Sequence, residues 1–240
     1  MARQTHSRGW NSSGWKLLCA AVALAGMVFP AAAADPTLAA TFAKIDQAAL
    51  HFKGLSGKVE SVQHMQAIHE DDIQSGTILV KRTPHKEPHV KISFDKPEPK
   101  VAYADGNKVD VYYPSSQQIQ EWALGHRKSF VDMILTLGFG GSSKDLQNDY
   151  QVTLGGTDTV AGESATRLEL VPKSKDMQEQ WIKIDLWISD KTGYAVQQKF
   201  YERGKDYTLI TYTGVVPKSD IPDTEFELPK AKKEPLNKKK

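Results

Sequence analysis

Cysteine is nearly absent: the 240 residues contain one, Cys19. It stands early in an apolar run and behind Leu18, whereas a lipoprotein leader places its cysteine after the run with a small residue before it. Cys19 therefore reads as a packing residue of a discarded segment, and a mature chain without it has no disulfide, redox or thiolate chemistry. Long hydrophobic runs are also lacking. The run at 17–29 is shorter than the roughly 20 apolar residues that span a bilayer. Arg3, Arg8 and Lys16 precede it, and Pro30 with alanines 31–34 follows, which is the pattern of a secretory leader (1–34) cleaved close to Asp35. Catalytic signatures are missing too: there is no G-x-S-x-G, no cysteine nucleophile and no phosphate-cradling glycine loop. His85 and His89 are four apart in a proline-broken loop, not on one helix face, and His64 and His69 merely flank an acidic turn, so no metal set is read. The expectation is a protein without catalytic residues, metal or cofactor, and not an enzyme. Nor does one sign of charge dominate. The chain has 31 basic and 29 acidic residues. Three of the basic groups lie in the leader, and six lysines fall in residues 229–240, so the body between is acidic. An acidic body argues against nucleic acid as the main partner. The basic tail (229–240) reads as solvated and disordered, with attraction to anionic lipid as its functional alternative.

What is present is one domain of about two hundred residues, 35–228, long enough for a sizeable core. Asp35 and Pro36, followed by Leu38, Phe42, Ile45, Ala49 and Phe52, predict an amphipathic helix with Asp35 as N-cap and Gly54 as its stop. From Lys58 the apolar period changes to two. Strands are expected at 58–67, 73–82, 89–94, 100–104, 108–113, 118–124, 150–155, 164–171, 180–189, 194–201 and 206–213, about eleven in all. Between the sixth and seventh lies 129–137, apolar on nearly every side and closed by Gly138, Gly140 and Gly141. This predicts a short inserted helix with a flexible exit. Consecutive hairpins with one starting and one inserted helix imply a mainly β (α+β) fold, a large curved antiparallel sheet wrapped over helices. Trp122, Trp181 and Trp187 are expected to be structural.

The segment 76–114 carries the most information. G-T-I-L-V-K-R-T-P puts Ile78, Val80 and Arg82 on one strand face ahead of Pro84, and D-G-N-K-V-D-V-Y-Y-P is a hairpin turning at Asp105, Gly106 and Asn107 between Val101/Tyr103 and Val109/Val111/Tyr113. Together with a closing F-E-L-P at 226–229, this order resembles the LolA-like periplasmic carriers of outer-membrane lipoproteins across nearly the whole mature chain. The resemblance implies an open, curved antiparallel half-barrel with the two helices in its mouth. It implies a periplasmic monomer that shuttles lipoproteins, with an inner-membrane releasing transporter, an outer-membrane acceptor and transient membrane contact as partners. Acyl chains would lie against Ile78, Val80, Val90, Ile92, Phe94, Val109 and Val111. Phe130, Ile134, Leu137 and Phe139 would form a lid, and the guanidinium of Arg82 would hold it closed. This chain departs from the family where Thr83 separates Arg82 from Pro84, and where Val90 and Ile92 replace bulkier aromatics. Without the resemblance, Arg82 reads as a strand-end rim residue and the apolar positions as ordinary core. Two further readings of the same half-barrel are a periplasmic lipid or lipoprotein sensor for an envelope-stress pathway, and a carrier of another lipid.

Overall fold

A computed structural model describes residues 36–82, 88–105, 108–123 and 135–235. The expected leader, the turn at 83–87, Gly106, Asn107, and the expected lid residues Phe130 and Ile134 lie outside the described residues.

The first described element is α1 (Leu38–His51). Its N-cap is Thr37, whose Oγ1 accepts from the Ala40 amide at 3.1 Å, so the start falls two residues after the expected Asp35. Thr41 and Ile45 are buried and Leu38, Phe42 and Ala48 pack behind them, the three-and-four spacing of one helix face. The helix ends at His51, before Gly54, which already begins a strand.

The strands follow as β1 (Gly54–Met65), β2 (Glu70–Lys81), β3 (His89–Lys96), β4 (Lys100–Asp105), β5 (Lys108–Tyr113), β6 (Gln118–Ala123), β7 (Tyr150–Val160), β8 (Glu163–Pro172), β9 (Lys183–Ser189), β10 (Ala195–Tyr201), β11 (Tyr207–Pro217) and β12 (Lys232–Pro235). They form one twelve-stranded sheet in the order β12-β6-β5-β4-β3-β2-β1-β11-β10-β9-β8-β7. Two antiparallel meanders, β1 to β6 and β7 to β11, are thus joined edge to edge by β1 against β11, where Val59 faces Tyr212. Register shifts at Ser56/Lys58, Ser75/Gly76, Leu154/Gly156 and Ala195/Gln197 bend the sheet, because an extra residue on one strand tightens the local twist. The result is an open half-barrel. None of the described helices is long and apolar enough to cross a membrane.

The sequence underestimated the short elements. Two helices unforeseen in the pattern, α2 (Ser143–Asp149) and α3 (Lys175–Gln180), precede β7 and β9, and β9 begins at Lys183, not at 180. F-E-L-P is not a closing strand: Asp223–Phe226 is a 3-10 turn with Phe226 buried. The tail is not wholly disordered either, since Lys232–Pro235 is the twelfth strand, parallel to Gln118, Ile119, Gln120 and Glu121 of β6. Between β11 and β12 the chain runs as a strap across the outer face. Lys81 Nζ donates to Ile221 O (2.6 Å), Lys91 Nζ to Glu225 O (2.7 Å), and Lys233 Nζ to Asp110 Oδ2 (2.9 Å).

Candidate functional site

Alternation along β2 to β5 places apolar side chains on the concave face, and the register aligns them into two rows. Val80 faces Val90, Val90 faces Ala104, and Ala104 faces Val109; beside them Ile78 faces Ile92, Ile92 faces Ala102, and Ala102 faces Val111. Leu55 of β1 extends the first row beyond Val80, and Gly57 extends the second beyond Ile78. Six of the seven residues expected to contact acyl chains are brought together in this way. Phe94 stands apart at the end of β3, opposite Gly76 and Lys100, with the Lys100 ammonium 5.1 Å from its ring centroid. Cover cuts across the rows: Ile78, Val80, Val90 and Ala104 are buried, whereas Ile92, Ala102, Val109 and Val111 are only half-buried.

Because β6 and β7 lie toward opposite edges of the sheet, the chain between them must cross from one meander to the other. The described end of that crossing, 135–141, is a plug. Leu137 and Phe139 are both 0% exposed. Phe139 meets the Tyr212 ring edge-on at 4.8 Å. Leu137 O accepts from Gln198 Nε2 (2.8 Å), and Gln198 Oε1 accepts from the Tyr212 hydroxyl (3.2 Å), a relay from β11 through β10 into the plug. Burial raises the Tyr212 phenol well above its usual value, so it remains a donor. Gly138 O accepts from the Ala195 amide (3.1 Å), and the amides of Phe139 and Gly141 both donate to Leu135 O (3.1 and 2.9 Å).

The glycines here are not the loose exit the sequence implied. Gly138 and Gly140 have φ of 133° and 98°, and a Cβ would lie 2.3 Å from Ala195 Cβ and 2.4 Å from Phe52 Cδ1 respectively. They let the plug close onto β10 and the end of α1. Arg82, just past β2, donates from Nη1 to Gly140 O at 2.8 Å, and its own amide donates to Lys53 O at 2.8 Å. Leu137, Phe139 and Arg82 are therefore gathered at one place.

The surrounding helices are pinned by charge. Asp46 of α1 accepts from the amide (2.7 Å) and hydroxyl (2.8 Å) of Ser143, the first residue of α2, while Lys44 donates to Asp190 at 2.9 Å. Burial opposes the charge of Asp190, but hydrogen bonds from Ser164, Lys44 and Thr166 outweigh it and hold the carboxyl below its usual range. Sequence reasoning missed Asp46, Gln198 and Tyr212, since each acts through a partner far along the chain. Of the tryptophans, Trp181 packs on Phe200 at 5.3 Å between centroids and Trp187 Nε1 donates to Asp158 Oδ2 at 2.8 Å; the Trp122 side chain lies outside the described residues. His64 is paired with Asp71 at 2.7 Å and stacked on Tyr207, and His85 lies outside the described residues.

Three cavities have described walls. One of about 620 Å³ lies under the strap, between His89, Tyr103 and Asp110 on one side and Phe226 on the other. Another of about 730 Å³ is floored by Tyr194, Ala195 and Tyr212 and rimmed by Glu163 and Asp190. A third, of about 560 Å³, lies where α1 ends, beside Lys53, Arg82 and Lys218. The seven expected acyl-contact residues line none of the three.

The described chain is an open, curved, mainly antiparallel half-barrel with an apolar concave face and a plug, the architecture that the resemblance to LolA-like carriers implied. A family profile described as "uncharacterized protein" matches residues 101–215. No curated protein matches the chain by sequence. Among solved structures, an uncharacterized conserved protein from Thermus thermophilus is similar at a TM-score of 0.50 with 9% identity, over 82% of this chain and 97% of that one. A LolA superfamily protein from Nitrosomonas europaea is similar at 0.39 with 15% identity, over 80% and 98%. The MucA/MucB complex structure from Pseudomonas aeruginosa is similar at 0.47 with 10% identity, over 78% of this chain and 59% of that one. These likenesses concern the fold alone.

Proposed function

We propose that the protein is a periplasmic carrier that shelters the acyl chains of lipoproteins on its concave face and moves them from a releasing transporter in the inner membrane to an acceptor at the outer membrane. The observation that carries this reading is the pair of apolar rows across β1 to β5, only half-covered at Ile92, Ala102, Val109 and Val111, beside a plug latched by Arg82 and Gln198. An acyl chain in water is costly, roughly 0.8 kcal/mol per methylene, so a lipidated protein needs such a face to cross an aqueous space. Binding and gating account for the task without a chemical step. Cargo would displace the latched segment, and closing it again would help expel the chains.

Native mass spectrometry of protein recovered from the periplasm is the direct test. The expected result is a complex whose extra mass is a triacylated protein. Bound free lipid would redirect the reading to a carrier of another lipid. An empty monomer under every extraction, together with a captured regulatory protein, would favour the sensor.

A further inference from the structure

The third cavity has features that acyl-chain carriage does not use. Two backbone hydrogen bonds bring three cationic residues together: the Arg82 amide donates to Lys53 O, and the Lys218 amide donates to Gly54 O, each at 2.8 Å. The strand ends of β2 and β11 are thereby tied to two successive residues after α1. Lys53, Lys81, Arg82 and Lys218 all line the cavity, with Asp220 as the carboxylate among them. Lys81 is committed to the strap through Ile221 O and Asp223. Lys53 and Lys218 are exposed and form no ion pair among the described residues. Arg82 spends one donor on Gly140, and a guanidinium has five. On the lip stands Leu50, the last leucine of α1, 73% exposed.

Clustered cations beside a projecting apolar side chain match a bilayer surface better than a free anion, because a headgroup phosphate and the acyl boundary beneath it satisfy both at once. We propose that this cavity docks the protein on an anionic phospholipid bilayer, with a lipid phosphodiester held by Lys53, Lys218 and the outward edge of Arg82 while Leu50 enters the interface. The docked face then adjoins the Arg82–Gly140 latch, so the plug sits at the membrane when the protein arrives there. The site goes beyond the carrier reading and holds whether or not acyl chains are cargo. Failure to find bound lipoprotein would leave it standing, and failure of docking would leave the carrier reading standing.

The test is flotation of the exported protein with vesicles of phosphatidylglycerol and phosphatidylcholine, and with phosphatidylcholine alone. The expected result is binding to the anionic vesicles only, falling about fivefold for each lysine removed in Lys53→Gln and Lys218→Gln. Leu50→Ser should weaken vesicle binding further. All three positions are exposed, and unchanged thermal melting would show that the variants fold. Three results overturn the proposal. The Lys53→Gln/Lys218→Gln variant could bind as wild type does; binding could vanish only when residues 236–240 are deleted, which assigns it to the tail; or Leu50→Ser could leave binding intact while millimolar inorganic phosphate abolishes it, which marks a site for the free anion.

Discussion

The two meanders share one sheet but treat their concave faces differently. On the C-terminal side, Leu168 faces Leu186 and Leu170 faces Ile184, all buried, with Phe200 and Trp181 beside them and the plug closing over Ala195, Gln198 and Tyr212. On the N-terminal side, Ile92, Ala102, Val109 and Val111 keep part of their surface open. One half is a filled core; in the other, Ile78, Val80, Val90 and Ala104 are as deeply buried, and Ile92, Ala102, Val109 and Val111 form a partly open apolar wall. The difference teaches that a half-barrel need not cover its concave face evenly: one continuous core runs through both halves and leaves four apolar residues of β3 to β5 partly open.

Truncations on the two sides should separate them. Phe139→Ala empties a fully buried site and is expected to lower the unfolding free energy by about 3–5 kcal/mol in urea denaturation. Ile92→Ala should cost less than the ~2–5 kcal/mol typical of a fully buried isoleucine, and should weaken acyl-chain binding more than Phe139→Ala does. Equal costs at the two sites would erase the distinction between core and wall.

The next largest effect belongs to Gln198, an amide 2% exposed with both ends satisfied. Gln198→Leu strips Leu137 O and the Tyr212 hydroxyl of their partner, and a buried polar group left unpaired costs about 1–3 kcal/mol. Amide hydrogen exchange at Phe139 and Gly141 should quicken relative to β8 and β9. If exchange rises evenly across the sheet, Gln198 serves general packing and does not act on the plug.

Asp190 gives a pH-dependent measure of the filled half. Its carboxyl is held below the usual range, so it contributes stability that is fully present above the ordinary carboxylate pKa and lost as pH falls through the lowered value. Asp190→Asn should therefore be less stable than wild type by about 1–2 kcal/mol near neutrality, from its bonds to Lys44, Ser164 and Thr166. The gap should close in acid. A gap that is constant with pH would trace the loss to shape instead of charge.

How legible was this in the sequence? Strand period exposed the first meander, because Val90 and Ile92 alternate with the polar His89, Lys91 and Ser93. Register then follows from short hairpins, and the apolar rows follow from register. The short elements were hidden for separate reasons. The helix α2 has its signal, a capping box between Ser142 and Asp145, but no apolar repeat long enough to show it. The twelfth strand is written K-K-E-P, a charged run that pairs because the β6 backbone offers an edge, and local propensity does not record edges. Gln198 looks like any strand glutamine until the crossing chain brings Leu137 over it. The glycines of the plug were visible, yet read as hinges; the close approach to Ala195 and Phe52 that requires them is a tertiary fact.

The smallest effect, and the one that decides how wall and core communicate, is expected at Arg82. Arg82 as a whole is exposed and its Nη1 bond to the Gly140 carbonyl is only part-buried, so loss of the bond should cost about 0.5–1.5 kcal/mol. Arg82→Leu keeps an apolar stem on the strand end and removes the donor. If the plug must swing away for acyl chains to enter, the closed state alone loses this bond, and the open and loaded states gain population by the same free energy. Loading from donor membranes should then be as good as wild type or better. Hand-off should fall, up to about tenfold for 1.4 kcal/mol, because closure no longer helps to expel the chains. A two-step assay, loading first and transfer to acceptor membranes second, reads the two effects apart. Normal hand-off with normal melting would leave Arg82 as a rim residue, and the plug would then be part of the core, with the wall acting alone.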